Sequence, residues 1–286
     1  MQIKRLGIFP NLNKDNVSNA LPEFAKLCEN FGLTPVLPKG IAAALGYRAY
    51  DLDDSASLLN LDAAVSLGGD GTLLQMAKYV VPHGLPAFGI NFGKLGFLAE
   101  IEAQSISKAL NKIILGDFAI ESRSLLQASV IRDGITVRKV HALNELVLSK
   151  GVLGKLAHFV LYINGNPSGR YSADGIIVAT ATGSTAYSLS AGGPMVMPEL
   201  DVSVITPICA LSLTARTLVV PMSEVLELRG VVGSEDMLLV ADGVNVEEIA
   251  NTDIVRIEKS PFLMKFLRLT RRDYYQTWQQ KLTRNL

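Results

Sequence analysis

The stretch Leu61-Asp62-Ala63-Ala64-Val65-Ser66-Leu67-Gly68-Gly69-Asp70-Gly71-Thr72-Leu73-Leu74-Gln75-Met76-Ala77-Lys78-Tyr79 decides how the chain is read. Residues 61–67 are an apolar run of strand length, and residues 73–79 read as a helix. A strand that breaks into glycines and restarts as a helix leaves backbone N–H groups pointing out of the turn, where the helix dipole favours an anion. Glycine permits the close approach that a phosphate requires. Gly68, Gly69, Gly71 and Thr72 are therefore candidate phosphate-binding residues. Asp70 places one carboxylate among these donors, which suits chemistry or metal binding, or simply an N-cap on the helix.

Outward from this turn, short apolar strands alternate with amphipathic helices. Arg5 to Pro10 and Thr34 to Leu37 read as strands. Val17, Leu21, Phe24, Leu27, Cys28 and Phe31 share one helical face that Gly32 stops, with Pro22 demanding a kink or a start near Asn19. Residues 38–60 are poorly periodic and read as helix fragments and loop. Pro86 to Ile90 is a further strand, and Ile106, Ala109, Leu110, Ile113 and Ile114 mark a helix closed by Gly116. Such alternation predicts an α/β domain with a Rossmann-like parallel sheet over residues 1–118.

The texture changes near Phe118. Asp133-Gly134 and Asn164-Gly165 each separate two apolar runs, the signature of hairpins with primed turns. Residues 225–231, 237–240 and 254–257 are further strand candidates. The expectation is a β-rich domain over residues 119–265, with residues 266–286 packing back on the first domain and residues 272–286 helical.

The 286 residues are enough for two domains of ordinary size, and 49% apolar content supports a substantial core. A formal net charge of zero argues against nucleic acid as the partner. Cys28 and Cys209 lie far apart without metal-ligand spacing and read as free buried thiols. No apolar run reaches the ~18 residues of a membrane span, and no signal segment opens the chain. The expectation is a cytoplasmic protein with no membrane partner and no protein-built metal site.

A second unusual region runs from Asp174 to Pro194. The apolar strand Gly175 to Thr180 ends in Thr182-Gly183-Ser184-Thr185, with a short helix expected near Ser184. Donors at that turn suit the polar groups of a nucleotide. Asp174 suits an exocyclic amine and Tyr187 suits a stacked base. A capped turn with a core tyrosine is the alternative. Asn144-Glu145 opens the apolar run 146–148, where an acid can hold ribose hydroxyls or simply be solvated.

Taken together and in this order, Gly68 to Thr72, Gly89-Ile90-Asn91-Phe92-Gly93 with Leu95-Gly96-Phe97-Leu98, Asn144-Glu145, Asp174-Gly175 and Thr182 to Pro194 resemble the bacterial NAD kinases. The diglycine-aspartate turn alone is shared with lipid kinases and phosphofructokinases; the run from Thr182 to Pro194 is far more specific. The resemblance implies transfer of the ATP γ-phosphoryl group to the 2′-hydroxyl of the adenosine ribose of NAD, with Mg²⁺ or another divalent cation arriving with ATP. It implies a homodimer or homotetramer. Carried over by position, Asp70 accepts the hydroxyl proton or positions the metal, with Gly71 beside it. Asn144 and Glu145 hold the ribose, and Phe97 lines the adenine site. Asp174 binds adenine, and Thr185, Ala186, Tyr187, Ser188, Leu189 and Ser190 complete the pocket. Lys155 falls at a basic substrate contact. The chain departs from the family pattern at Ala181, where proline is common, and at Val244, where glutamine usually follows Asp242-Gly243.

Three rival readings differ in what they require. A lipid kinase needs a membrane-facing surface, at which the balanced charge gives no hint. A non-catalytic nucleotide sensor needs no acid at position 70. An NAD oxidoreductase needs a Gly-x-Gly-x-x-Gly turn after the first strand, and Pro10-Asn11-Leu12-Asn13 is not one.

Overall fold

The computed structural model describes residues 2–52, 54–93, 96–99, 101–151, 157–231, 237–270 and 273–283. These form two units, one of residues 1–122 and 264–286, the other of residues 123–263.

In the first unit the order along the chain is β1 (Arg5–Pro10), α1 (Asp15–Asn30), β2 (Thr34–Pro38), α2 (Lys39–Leu45), β3 (Arg48–Tyr50), α3 (Ser55–Leu59), β4 (Ala63–Gly68), α4 (Asp70–Val80), β5 (Pro86–Asn91), β6 (Ile101–Glu102) and α5 (Ile106–Leu115). The parallel sheet runs β5-β4-β1-β2-β3, with β6 beside the end of β5. β1 pairs with β2 on one side and β4 on the other, so the strand order reverses there. Ligands of open α/β sheets bind outside the carboxyl ends of strands at such a switch point. The loops leaving β1 and β4 are Asn11–Lys14 and the diglycine turn. Leu6, Ile8, Val65, Leu67, Phe88 and Ile90 bury into one core with Val17, Leu21, Phe24 and Cys28 of α1 and Leu110 and Ile113 of α5.

Two expectations are corrected here. Of the two alternatives that Pro22 raises, the start near Asn19 is overturned: the first helix begins at Asp15 and continues past Pro22. Its apolar face already starts at the buried Val17, and tertiary burial outweighs the local cost of proline. Residues 38–60 contain the strand β3, which adds to the sheet edge beside β2 by only three residues, too few to show a period.

The chain continues with β7 (Ala119–Arg132), which enters the second unit at residue 123, then β8 (Ile135–Ala142), β9 (Glu145–Lys150), β10 (Ala157–Ile163), β11 (Asn166–Ala173), β12 (Gly175–Thr180), the 3₁₀ turn Gly183–Thr185, α6 (Tyr187–Ser190), β13 (Val202–Ile208), β14 (Leu218–Pro221), β15 (Leu226–Gly230), β16 (Met237–Ala241), β17 (Val244–Ile249) and β18 (Ile254–Arg268), which leaves it after residue 263. The helix α7 (Tyr274–Thr283) follows and belongs to the first unit. The dipeptides Asp133-Gly134, Asn164-Gly165 and Asp242-Gly243 all carry positive φ at both residues, the geometry of type I′ hairpins.

A six-stranded antiparallel sheet runs β14-β13-β12-β9-β16-β17. On β12, Ile176 and Val178 face the main core with Phe159, Leu161, Leu226 and Ile257, whereas Ile177 and Ala179 face a smaller cluster with Val147, Val196 and Val204. Burial on both faces explains why β12 reads as an unbroken apolar run. Of the two cysteines, Cys28 is buried, while Cys209 is exposed at a positive-φ turn after β13, against the expectation that both are buried.

Residues 264–269 return to the first unit. Lys265 and Phe266 pair in parallel with Pro86 and Ala87 of β5, and Leu267 and Leu269 join its core. Arg268 Nε bonds Glu121 Oε2 at 2.6 Å, and the Tyr274 hydroxyl donates to Glu121 Oε1 at 2.8 Å, which anchors the start of α7.

Candidate active site

In the first unit, Gly69 is the N-cap of α4 and Asp70 is its first helical residue. The cap position expected for Asp70 as an alternative is thus taken by glycine. The Thr72 hydroxyl accepts from the Gly69 N–H at 3.4 Å and from Asn11 Nδ2 at 3.4 Å. A Cβ on Gly68 would fall 2.2 Å from that hydroxyl, so only glycine fits where the strand ends. Around Gly71 the space is open to 4 Å. The first turn of a helix cannot satisfy its own N–H donors, which leaves those of Asp70 and Gly71 available to an anion.

The Asp70 side chain turns away from its own helix. Oδ2 accepts the Phe97 N–H at 2.5 Å, and Oδ1 accepts the Leu98 and Ala99 N–H groups, each at 3.0 Å. This clamp requires Gly96, where a Cβ would lie 1.8 Å from Asp70 Oδ1. Two carboxylate oxygens offer about four lone-pair positions, so three N–H donors leave one, on Oδ2. The Phe97 ring is half-buried and carries the Lys281 ammonium 3.6 Å from its centroid.

Lys14 carries no distinguishing signal in the sequence. Its Nζ lies 3.8 Å from where a Cβ on Gly69 would sit and 3.9 Å from the same point on Gly93. Asn91 Oδ1 also approaches both glycines and accepts the Gly93 N–H at 3.1 Å. The parallel pairing of β1 with β4 delivers this cation to the glycine turn, a juxtaposition that strand order decides and local sequence does not.

In the second unit, Ala179 of β12 stands opposite Glu145 of β9. The turn Leu143-Asn144-Glu145 is held from one side by Thr180, whose hydroxyl donates to the Leu143 carbonyl at 2.7 Å and whose N–H donates to the Asn144 carbonyl at 2.8 Å. Gly183 packs so tightly here that a Cβ would lie 2.0 Å from the Asn144 carbonyl oxygen. From the other side, Asp242 Oδ2 accepts the Leu143 N–H at 2.8 Å, and Oδ1 accepts those of Asn144 at 2.8 Å and Glu145 at 3.0 Å.

Asn144 and Glu145 are 8% and 7% exposed, yet among the described residues Asn144 Oδ1 and Glu145 Oε2 have no hydrogen-bond partner. Buried acceptors of this kind are rare in a folded protein and call for a ligand or water. Burial, and then the nearby Asp242 charge, push the Glu145 carboxyl up to about 7, partly offset by the Tyr187 N–H bonded to it.

The expected pocket residues divide by position. Tyr187 is 46% exposed and its backbone meets Glu145. Thr185, Ala186 and Leu189 are half-buried, and Ser190 is exposed. The Ser188 hydroxyl is buried against Thr206 Oγ1 at 3.0 Å. Asp174 precedes β12, whereas Thr182 to Ser190 follow it, so they lie at opposite ends of one strand. There Lys150 Nζ holds Asp174 Oδ1 at 2.6 Å, a pairing that sequence reasoning missed. Lys155 lies outside the described residues. Among the described residues, no group of three or more His, Cys, Asp or Glu side chains could hold a metal ion.

A glycine turn opening a helix with a carboxylate in one unit, and two buried amide and carboxylate oxygens without a partner among the described residues in the other, suit the class of nucleotide-dependent phosphotransferases. Residues 47–118 match the family model for the ATP-NAD kinase N-terminal domain, and residues 143–269 that for the ATP-NAD kinase C-terminal domain. The chain belongs to the NAD kinase family. It is 36% identical to the NAD kinase of Caldanaerobacter subterraneus subsp. tengcongensis, over 98% of this chain and 99% of the relative. It is 40% identical to the NAD kinase of Clostridium tetani, over 98% and 99% of the two chains. The crystal structure of an Archaeoglobus fulgidus NAD kinase in complex with ATP is similar at a TM-score of 0.72 and 26% identity, covering 92% of each chain. Yeast NADH kinase complexed with NADH shares the fold at a TM-score of 0.88 and 24% identity, over 96% of this chain and 86% of that one.

Proposed function

We propose that this chain transfers the γ-phosphoryl group of MgATP to the 2′-hydroxyl of the adenosine ribose of NAD, giving NADP and ADP. The observation that carries the reading is the pair of buried, unpartnered acceptors Asn144 Oδ1 and Glu145 Oε2. Adjacent hydroxyls of a ribose supply the donors that such a pair lacks. Relatives named NAD kinase over nearly the full length support the same substrate.

In this mechanism the ATP phosphates meet the Asp70 and Gly71 N–H groups at the head of α4, with Lys14 supplying charge. The divalent cation arrives as part of the nucleotide, and Asp70 is the acid within reach of the turn. The 2′-oxygen forms a bond to the γ-phosphorus as the bond to the β,γ-bridging oxygen breaks and ADP departs. The hydroxyl proton passes to Asp70 Oδ2, at the lone pair that the Phe97–Ala99 clamp leaves. Phosphoryl transfer is loose, so positioning and charge neutralisation carry most of the acceleration, and a weak base suffices late in the transfer. Tyr187 is proposed to pack on the adenine, with Thr185, Ala186, Leu189 and Ser190 around it. Phe97 is proposed for the adenine lining, and Asp174 for a contact to the amino group that exchanges with Lys150. We further propose a cytoplasmic homo-oligomer, to be checked by light scattering; no described helix is long and apolar enough to cross a membrane.

The test is a coupled assay of NADP formation from NAD, ATP and Mg²⁺ with the purified chain. NADP appearing in step with ADP is the expected result. Folded protein that binds NAD and makes no NADP overturns the proposal in favour of a nucleotide sensor.

A further inference from the structure

We infer that Asp242 is a positioning residue for the ribose subsite, holding the turn that bears Asn144 and Glu145 in its ligand-ready form before the dinucleotide arrives. The inference rests on the proposal that this turn holds the NAD ribose.

Asp242 opens the Asp242-Gly243 turn between β16 and β17, with a φ of 46°. Ala241 pairs with Leu146, which sets the turn against the start of β9. From there one carboxylate accepts three consecutive backbone N–H groups, those of residues 143, 144 and 145, while the Asp242 N–H donates to the Glu145 carbonyl at 3.0 Å. A turn with its own donors satisfied in this way does not need its side chains for internal bonds. Asn144 Oδ1 and Glu145 Oε2 are thereby left buried and unpartnered, an arrangement that costs stability and persists only where the backbone is fixed independently. Thr180 fixes the carbonyls of the same turn and Asp242 its N–H groups, so each side of the backbone has a separate anchor. Groups that recognise a ligand are most effective when their own orientation is locked by such supporting bonds.

Asp242 also acts through charge. Among the described residues it is the charged group that faces Glu145. β12 presents Ala179 and the start of α6 presents the Tyr187 N–H, neither of which carries charge. The negative charge of Asp242 therefore works with burial to keep the Glu145 proton on to higher pH. Sequence gives a partial signal: Asp-Gly is a hairpin dipeptide, and asparagine serves a left-handed turn as well as aspartate does.

That tolerance supplies the test. Asp242→Asn keeps the turn geometry and one acceptor oxygen, but turns an amide toward one of the three donors and removes the charge. The wild-type chain is first shown to make NADP; if it does not, the proposed function fails and Asp242 is not at issue. With activity present, the variant is expected to raise KM for NAD by about 10-fold with kcat changed by less than about 3-fold, the size of one lost charge-assisted bond. The acid limb of kcat/KM for NAD is expected to move to lower pH. A lowered Tm with KM and the acid limb unchanged overturns the inference, as does a fall in kcat alone. Should Asp242→Asn not fold, amide exchange of residues 143–145 in the wild-type chain decides. Protection already present without NAD supports the inference, and protection gained only on NAD binding overturns it.

Discussion

The Phe97 N–H donates to Asp70 Oδ2 at 2.5 Å, joining the first residue of α4 to a backbone segment 27 residues further on. With Leu98 and Ala99 adding two more donors, Asp70 both organises this segment and is proposed to face the reacting hydroxyl. Asp70→Asn is therefore expected to lower kcat by ~10²–10⁴, the range for loss of a general base, with NAD affinity within a few-fold. Because an amide offers one acceptor where the carboxylate offers two, amide exchange at residues 97–99 is expected to rise in the same variant. Near-normal turnover removes Asp70 from the mechanism.

Gly96→Ala tests the clamp without touching the carboxylate chemically. The new Cβ would sit 1.8 Å from Asp70 Oδ1, and the side chain can escape only by leaving its three donors. A displacement of about 1 Å at a reacting group costs about 10²-fold in rate, which is the expected drop in kcat. Thermal melting run alongside separates displacement of Asp70 from general unfolding.

Lys14 lies by the glycine turn in a position that suits phosphate oxygens. Lys14→Ala is expected to raise KM for ATP by about 10-fold, equivalent to one charge-assisted bond, and to leave KM for NAD within about 2-fold. Steady-state kinetics with each substrate varied in turn checks this. An equal rise in both constants assigns Lys14 to the fold instead.

Glu145 gives a stability signature as well as a binding one. Burial, reinforced by Asp242, raises its folded-state pKa to about 7 from an ordinary 4.5, so its contribution to stability is full below pH 4.5 and is lost as pH rises through 7. The shift corresponds to something on the order of 3 kcal/mol. Wild-type stability to urea is expected to fall across that window beyond the trend in Glu145→Gln, which lacks the group. The same variant is expected to weaken NAD binding by about 10-fold in calorimetry, since the amide offers one acceptor in place of two.

Glu121 holds Arg268 and Tyr274 together at the start of the C-terminal helix. Arg268 has a side chain only 7% exposed and stacks over the Phe266 ring at 4.4 Å. Glu121→Gln removes one carboxylate charge bonded to this buried guanidinium while keeping a hydrogen-bonding amide, and a cost of about 1–3 kcal/mol is expected in chemical denaturation. A loss below about 1 kcal/mol would assign the pair a surface role.

Elements whose signal is local were legible in the sequence. β4, the glycine turn and α4 are contiguous, and β12 announces itself through apolar residues on both faces. Asp133-Gly134 and Asn164-Gly165 named their hairpins. Asp242-Gly243 has the same signature but separates runs of weak alternation, which leaves β17 without a clear signal. The sequence signals β18 over residues 254–257, but the strand extends to Arg268: Ser260-Pro261 resembles a strand end, and Pro261 is exposed in the structure, as proline in a strand requires. In the candidate site, Gly68 to Thr72 and Asn144-Glu145 stood out by residue type. Lys14 beside Gly69, Asp242 beneath Glu145 and Lys150 on Asp174 did not, since each depends on which strand ends the sheets align.

The strip from Lys265 to Leu269 has a consequence for biogenesis. It lines β5 and fills the core of the first unit, yet it leaves the ribosome after every residue of the second. The amino-terminal segment must therefore wait, with Leu267 and Leu269 still unsynthesised, while 141 residues of inserted chain are translated and begin to condense. A nascent chain stalled before residue 264 exposes an unfinished apolar edge, the kind of surface that chaperones recognise.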